Sequence, residues 1–173
     1  FHRRACQLTK QIFDILHADD DDETDDDEMD DYEMYDDEAN EETITSLVAL
    51  VRDGRDGTEE QRTWSAGVLG NLAAGNDANA VAIAAAGGIP PLVALVRDGR
   101  EKQKEYAACV LTILALNDAN KVAIASAGGI PALMTLVRDG TETQKENAAA
   151  VLLNLTTDND ANQAAIAAAG GLS

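Results

Sequence analysis

An internal period constrains this chain more than any other feature. Gly87-Gly88-Ile89-Pro90 returns as Gly128-Gly129-Ile130-Pro131 and in part as Gly170-Gly171-Leu172, at spacings of 41 and 42 residues. The loop Asn76-Asp77-Ala78-Asn79 comes back at Asn117 and Asn159 with the same spacings. LVALVRDG at 47–54 recurs unchanged at 92–99 and as LMTLVRDG at 133–140, and the first of these steps is 45 because Arg55-Asp56-Gly57 is inserted. A unit of this size cannot cover its own apolar face, so copies must stack and share a core.

Each unit reads as three helices whose joints have physical causes. A short Ala-rich helix over 78–86 can be capped by Asn76 or Asp77, whose side-chain oxygen meets otherwise unpaired amides. It stops at Gly87-Gly88, where a residue without Cβ takes positive φ freely. Pro90 opens the second helix, which carries Leu92, Leu95 and Val96 on one side and ends at Asp98-Gly99. The third helix, 58–74 in the first copy, has a capping box in Thr58 with Gln61, repeated by Thr141 with Gln144. Arg100 takes that position in the middle copy, which is therefore expected to lack the cap. Val68, Leu69 and Leu72 define the apolar face of this helix, followed by Val110, Leu111 and Leu114, then Val151, Leu152 and Leu155. Ile83, Ile124 and Ile166 form a matching column on the short helices.

Three helices per unit, with GGIPxLV opening the second and an AAxxLxNL-like third, resemble the armadillo-repeat family over residues 46–173. The resemblance implies an all-α, right-handed armadillo-type superhelical solenoid of about three 42-residue repeats, whose third helices line a groove for extended peptides. The expected boundaries are 43–88, 89–129 and 130–173, with incomplete outer repeats. In the family a Trp-x-x-x-Asn pattern on the third helix clamps the ligand. By resemblance Asn71 and Asn154 take the Asn position and Ile113 replaces it in the middle copy. Gly67, Cys109 and Ala150 stand where the family has Trp, which speaks against import-receptor-type binding of nuclear localisation peptides.

At about 100° per residue, one strip of the third helix lies away from the core face. Its columns are Glu60/Lys102/Thr143, Trp64/Tyr106/Asn147, Gly67/Cys109/Ala150 and Asn71/Ile113/Asn154. Glu60, Trp64, Asn71, Lys102, Tyr106, Ile113, Asn147 and Asn154 are the candidate peptide-groove residues. Trp64 and Tyr106 are the aromatics of the repeats, and such side chains serve either as binding anchors or as packing over the neighbouring ridge. Asn71 and Asn154 can bond a ligand or the neighbouring backbone. Arg62, Lys104 and Lys145 fall on the opposite side as a solvated flank, and Arg52, Arg97 and Arg138 end second helices, where a cation suits the helix dipole.

Composition bounds the rest. Residues 18–42 hold 17 of the 32 acidic side chains and no Lys or Arg, so the charge of −19 belongs to one segment. That segment is expected to be a disordered acidic linker, a spacer or a contact for basic partners; its spacing is not that of an EF-hand. Before it, Leu8, Ile12, Ile15 and Leu16 in 1–17 suggest a short amphipathic helix that either caps the stack or ends an upstream region. The repeats contain no histidine, and Cys109 has no histidine partner there, so no catalytic residue, metal or cofactor is assigned. No strongly basic face supports nucleic-acid binding, and no apolar run approaches the length of a membrane span. Cys6 and Cys109 give no disulfide framework, which fits a cytoplasmic or nuclear protein. The chain opens on Phe1, as a piece of a longer product would.

The reading is a noncatalytic protein-interaction scaffold; the alternative is the substrate-recognition arm of a larger ubiquitin ligase or other multidomain enzyme. Uncapped repeat ends add an expectation of self-association.

Overall fold

The computed structural model describes residues 41–52 and 58–170. The amphipathic helix expected over 1–17, the acidic segment up to residue 40 and the insertion at 55–57 lie outside the described residues. The described chain is all helix: α1 (Glu41–Arg52), α2 (Glu59–Ala73), α3 (Asp77–Ala85), α4 (Ile89–Asp98), α5 (Glu101–Leu114), α6 (Asp118–Ser126), α7 (Gly129–Asp139), α8 (Glu142–Thr156) and α9 (Asp160–Gly170). Short first helices are α3, α6 and α9; second helices are α1, α4 and α7; third helices are α2, α5 and α8.

Helix boundaries follow from local chemistry. Asn76 Oδ1 accepts from the Asn79 amide at 3.0 Å, and Asn117 Oδ1 accepts from Ala119 and Asn120, so both short helices start where a side chain replaces the missing turn. Gly87 and Gly128 then adopt φ of 78° and 82°, and the chain bends by 84° and 80° into α4 and α7. The second glycine of each pair is needed for closeness: a Cβ on Gly129 would lie 2.6 Å from Ile124 Cγ2 and 2.7 Å from Ile124 O. Glu41 and Glu42 form the first turn of α1, where their charge complements the helix dipole, so the repeat region begins two residues before the predicted boundary at 43.

The third helices lie side by side, α2 beside α5 beside α8, and each second helix backs its own third helix. Leu69, Leu92, Leu95, Leu111, Leu114, Ile124 and Leu133 are at most 1% exposed, one continuous core running through the stack. Burying a side chain of this size is worth about 1.5–3 kcal/mol, so the columns hold the units together. Leu72 and Leu152 are half-buried, as is Ile166 on α9.

Arg100 does not leave α5 bare. Its side chain offers no acceptor, but Gln103 Oε1 still accepts from the Arg100 amide at 3.0 Å, so half of the capping arrangement survives. Full reciprocal boxes stand at Thr58/Gln61 and Thr141/Gln144.

The capping glutamines of the second and third copies also span the junctions. Gln103 Nε2 donates to the Glu59 carboxylate at 2.8 Å and to the Glu59 carbonyl at 3.3 Å, and Gln144 Nε2 donates to the Glu101 carbonyl at 2.9 Å. Both glutamines are buried, and a buried amide needs such partners.

The unequal spacings of 41 and 42 have a structural reason. After α2 and α8 the chain turns through a left-handed residue, Gly75 (φ 72°) and Asp158 (φ 54°). Asn79 and Asn162 then donate from Nδ2 to the Leu72 and Leu155 carbonyls at 2.9 and 3.0 Å. The corner after α5 is one residue shorter. There the Asn117 amide bonds the Leu114 carbonyl at 3.2 Å, the buried Nδ2 of Asn120 has no partner among the described residues, and Leu116 is left 68% exposed.

Candidate peptide groove

The strip is built by third helices held in register by the core. Glu60, Trp64 and Asn71 on α2 and Lys102 and Tyr106 on α5 are exposed, with Trp64 at 41% and Tyr106 at 36%. Gly67 lies beside the tyrosine: a methyl group added to it would sit 3.6 Å from the Tyr106 ring. The tyrosine thus lies over the neighbouring helix while keeping part of its ring in solvent, so packing and exposure are not alternatives here. Small residues occupy the next column: Gly67 and Ala150 are half-buried and Cys109 is exposed.

Not every strip residue points outward. Asn147 Nδ2 donates to the Glu105 carbonyl at 3.3 Å and Asn154 Nδ2 to the Thr112 carbonyl at 2.9 Å, each reaching the preceding third helix. Both are half-buried, and Ile113 is half-buried at the same register. Asn154 therefore bonds neighbouring backbone, one of the two roles open to it. Of the strip residues, Glu60, Trp64, Asn71, Lys102 and Tyr106 are exposed, Ile113 is half-buried, and Asn147 and Asn154 are engaged at the junctions with the preceding third helix.

The charge on this surface is locally compensated. Lys102 Nζ meets Glu105 Oε2 at 3.0 Å, and that bond raises the Lys102 pKa above its ordinary value. Cys109 is exposed, and desolvation together with the Glu105 carboxylate raises its thiol pKa, so the group stays protonated near neutrality. That favours an inert thiol over a nucleophile. Among the described residues no group of His, Cys, Asp or Glu is arranged to hold a metal ion, and no single helix is long and apolar enough to cross a membrane.

The basic column is not the freely solvated flank expected from the wheel, and two of its three members are paired within their own helices. Arg62 meets Glu59 at 3.3 Å and Lys145 meets Glu142 at 3.3 Å, and all three of Arg62, Lys104 and Lys145 are half-buried. Arg97 and Arg138 pair with Asp98 and Asp139, whereas Arg52 reaches across to the Ala86 carbonyl at 3.3 Å and caps the end of α3. Glu59 collects Gln103, Arg100 and Arg62 around one carboxylate, chiefly through the Gln103 hydrogen bond, which holds its pKa below the usual carboxylate value. It lines a cleft of about 240 Å³ with Arg62, Asp98 and Arg100, and its carboxylate pairs with both guanidinium groups there. Sequence reasoning missed this cluster because Gln103 lies 44 residues from Glu59 and only the stacking register joins them.

Stacked three-helix units with an exposed strip on the third helices define an α-solenoid repeat protein. Residues 76–116 and 117–157 match the Armadillo/beta-catenin-like repeat, a frame that starts at the short helices. A computationally designed armadillo repeat protein for modular peptide recognition superposes with a TM-score of 0.68 at 28% identity, covering 75% of this chain and 54% of that one. An engineered protein superposes at 0.67 with 31% identity, covering 74% of this chain and 51% of that one. A designed armadillo repeat protein in complex with the peptide (KR)4 gives 0.67 at 25% identity, covering 75% and 53%. The chain therefore spans between 51% and 54% of the length of these three structures. Comparison with curated protein sequences gives no match. Residues 76–157 are armadillo repeats, and the fold they form with α1, α2 and α9 is an armadillo solenoid.

Proposed function

We propose that this chain is a noncatalytic scaffold that binds an extended peptide or protein segment across its third helices. The observation that carries the reading is the exposed pair Trp64 and Tyr106, in register on adjacent helices beside the small residues Gly67 and Cys109. Large amphipathic rings at the centre of a shallow surface supply most of the energy in interfaces of this kind. The peptide-binding purpose of one structural neighbour and the bound peptide of another support the class of ligand.

Glu60 and the Lys102–Glu105 pair border the aromatics and would contribute orientation more than affinity. Asn71, exposed on α2, is the asparagine of the strip best placed to meet a ligand backbone. Displayed peptide libraries panned against the chain test this reading. Binders selected on the wild type should lose about tenfold or more in affinity with Trp64→Ala or Tyr106→Ala. Binders indifferent to both substitutions would place the site elsewhere. A basic localisation-type peptide binding tightly without needing either ring would instead favour an import-receptor mode.

A further inference from the structure

We infer that the middle repeat makes the groove selective for a peptide with aliphatic or aromatic side chains at its centre and polar ones on either side, and not for a run of basic residues. The inference rests on the peptide-binding reading and names the ligand chemistry of the same surface. α5 has a third helix on each side of it, α2 and α8, so what it exposes is not the open end of a stack. Tyr106, Cys109, Ile113 and Leu116 follow one another at spacings of three, four and three residues. At about 100° and about 1.5 Å per residue they share a strip about 80° wide and about 15 Å long. The helical course holds to the end of that strip. Ala115 has φ −70° and ψ −2°, and the Leu116 amide bonds the Ile113 carbonyl at 3.2 Å. Ile113 is half-buried, Tyr106 and Cys109 are exposed, and Leu116 is 68% exposed. One exposed leucine is ordinary, but four uncharged residues of this kind in one line, three of them exposed, form a contact surface.

The flanking helices differ at the same four positions. α2 has Trp64, Gly67, Asn71 and Ala74, and α8 has Asn147, Ala150, Asn154 and Thr157. An asparagine in the third position offers both a donor and an acceptor, and Ile113 offers neither. Over α5 a peptide is therefore held by burial of its side chains, while exposed Asn71 on α2 can bond its backbone. Local charge disfavours a basic ligand at this point. Lys102 lies one turn before Tyr106 and is exposed, and its ammonium already occupies the Glu105 carboxylate at 3.0 Å. A lysine or arginine brought over α5 would meet a like charge and a carboxylate already paired. The exposed acids Glu60 and Glu146 lie on α2 and α8, so a single basic residue is met on a flank and not over the apolar line.

Panning displayed random peptides against the full chain tests this. Alternate residues of an extended peptide share a side, so the selected pool should be enriched in Leu, Ile, Val, Met or Phe at two positions one residue apart. Fluorescence anisotropy with a selected peptide should show Leu116→Asp raising Kd by about tenfold or more. Ile113→Asn, which places at this register the residue that α2 and α8 carry, should raise Kd in the same direction by about threefold or more. Helical circular dichroism should be retained in both variants. A pool without that enrichment, a pool rich in Lys and Arg, or a Kd unchanged by both substitutions would each overturn the inference. The two readings fail separately. Basic binders that need Trp64 and Tyr106 would leave the peptide groove standing and remove its apolar preference. Apolar binders weakened by Leu116→Asp, but by neither Trp64→Ala nor Tyr106→Ala, would uphold the line on α5 and remove the aromatic pair from the site.

Discussion

Two sets of columns run along the third helices, and they behave in opposite ways. The buried set keeps its chemistry from copy to copy: Val68/Val110/Val151, Leu69/Leu111/Leu152 and Leu72/Leu114/Leu155 are aliphatic throughout. The outward set does not: acid gives way to base and hydroxyl at 60/102/143, and tryptophan to tyrosine and asparagine at 64/106/147. The first set is fixed by a neighbour of the same kind, which demands the same volume at each junction. The second is under less demand of this kind: Glu60, Trp64, Lys102 and Tyr106 are exposed, and only Asn147 reaches the preceding third helix, at the Glu105 carbonyl.

The sharpest way to break this comparison is to damage the buried set. Ile124→Ala removes a side chain with 0% exposure and should cost about 2–5 kcal/mol in denaturant unfolding. A cost below about 1 kcal/mol would mean the column does not hold the stack. Gly129→Ala forces a Cβ against Ile124 backbone and side chain and should cost about 1–3 kcal/mol by the same measurement. Inserting a glycine between Leu116 and Asn117 restores the length of the corners after α2 and α8. It should give the Asn120 amide its carbonyl partner and raise stability by about 1 kcal/mol. Trp64→Ala, on the outward set, should change stability by no more than about 0.5 kcal/mol in the same assay.

The smallest effect concerns Glu59. Its folded pKa is lowered from 4.5, so it adds stability that is present above the unfolded carboxylate pKa and is lost as pH falls through the folded value. Carboxyl NMR titration should place Glu59 below the usual value, and Gln103→Ala should move it back up. An unchanged titration in that variant would assign the shift to the arginines.

The joints were legible because each depends on one residue and its neighbours in sequence. Asn76, the Gly87-Gly88 pair, Pro90 and the Thr58/Gln61 box act through local hydrogen bonds and allowed dihedrals. The spacing of 41 was equally visible, but its consequence was not, since only the folded corner shows Asn120 losing the carbonyl that Asn79 and Asn162 reach. Gln103 and Gln144 could be read as caps; their reach to Glu59 and Glu101 depends on the offset between helices. The same limit applies to the strip. Wheel arithmetic places residues around one helix axis and assembles the four columns. It cannot tell that Asn147 and Asn154 lean onto α5, because that requires the position of the next axis.

The outward set is proposed as a peptide-binding surface. Its most direct test is NMR chemical-shift mapping of a library-selected peptide titrated into the chain. The largest changes should fall on the Trp64 indole and on the amides of Gly67, Tyr106, Cys109 and Asn71. Changes concentrated on α4 and α7, with the Trp64 indole unmoved, would contradict it.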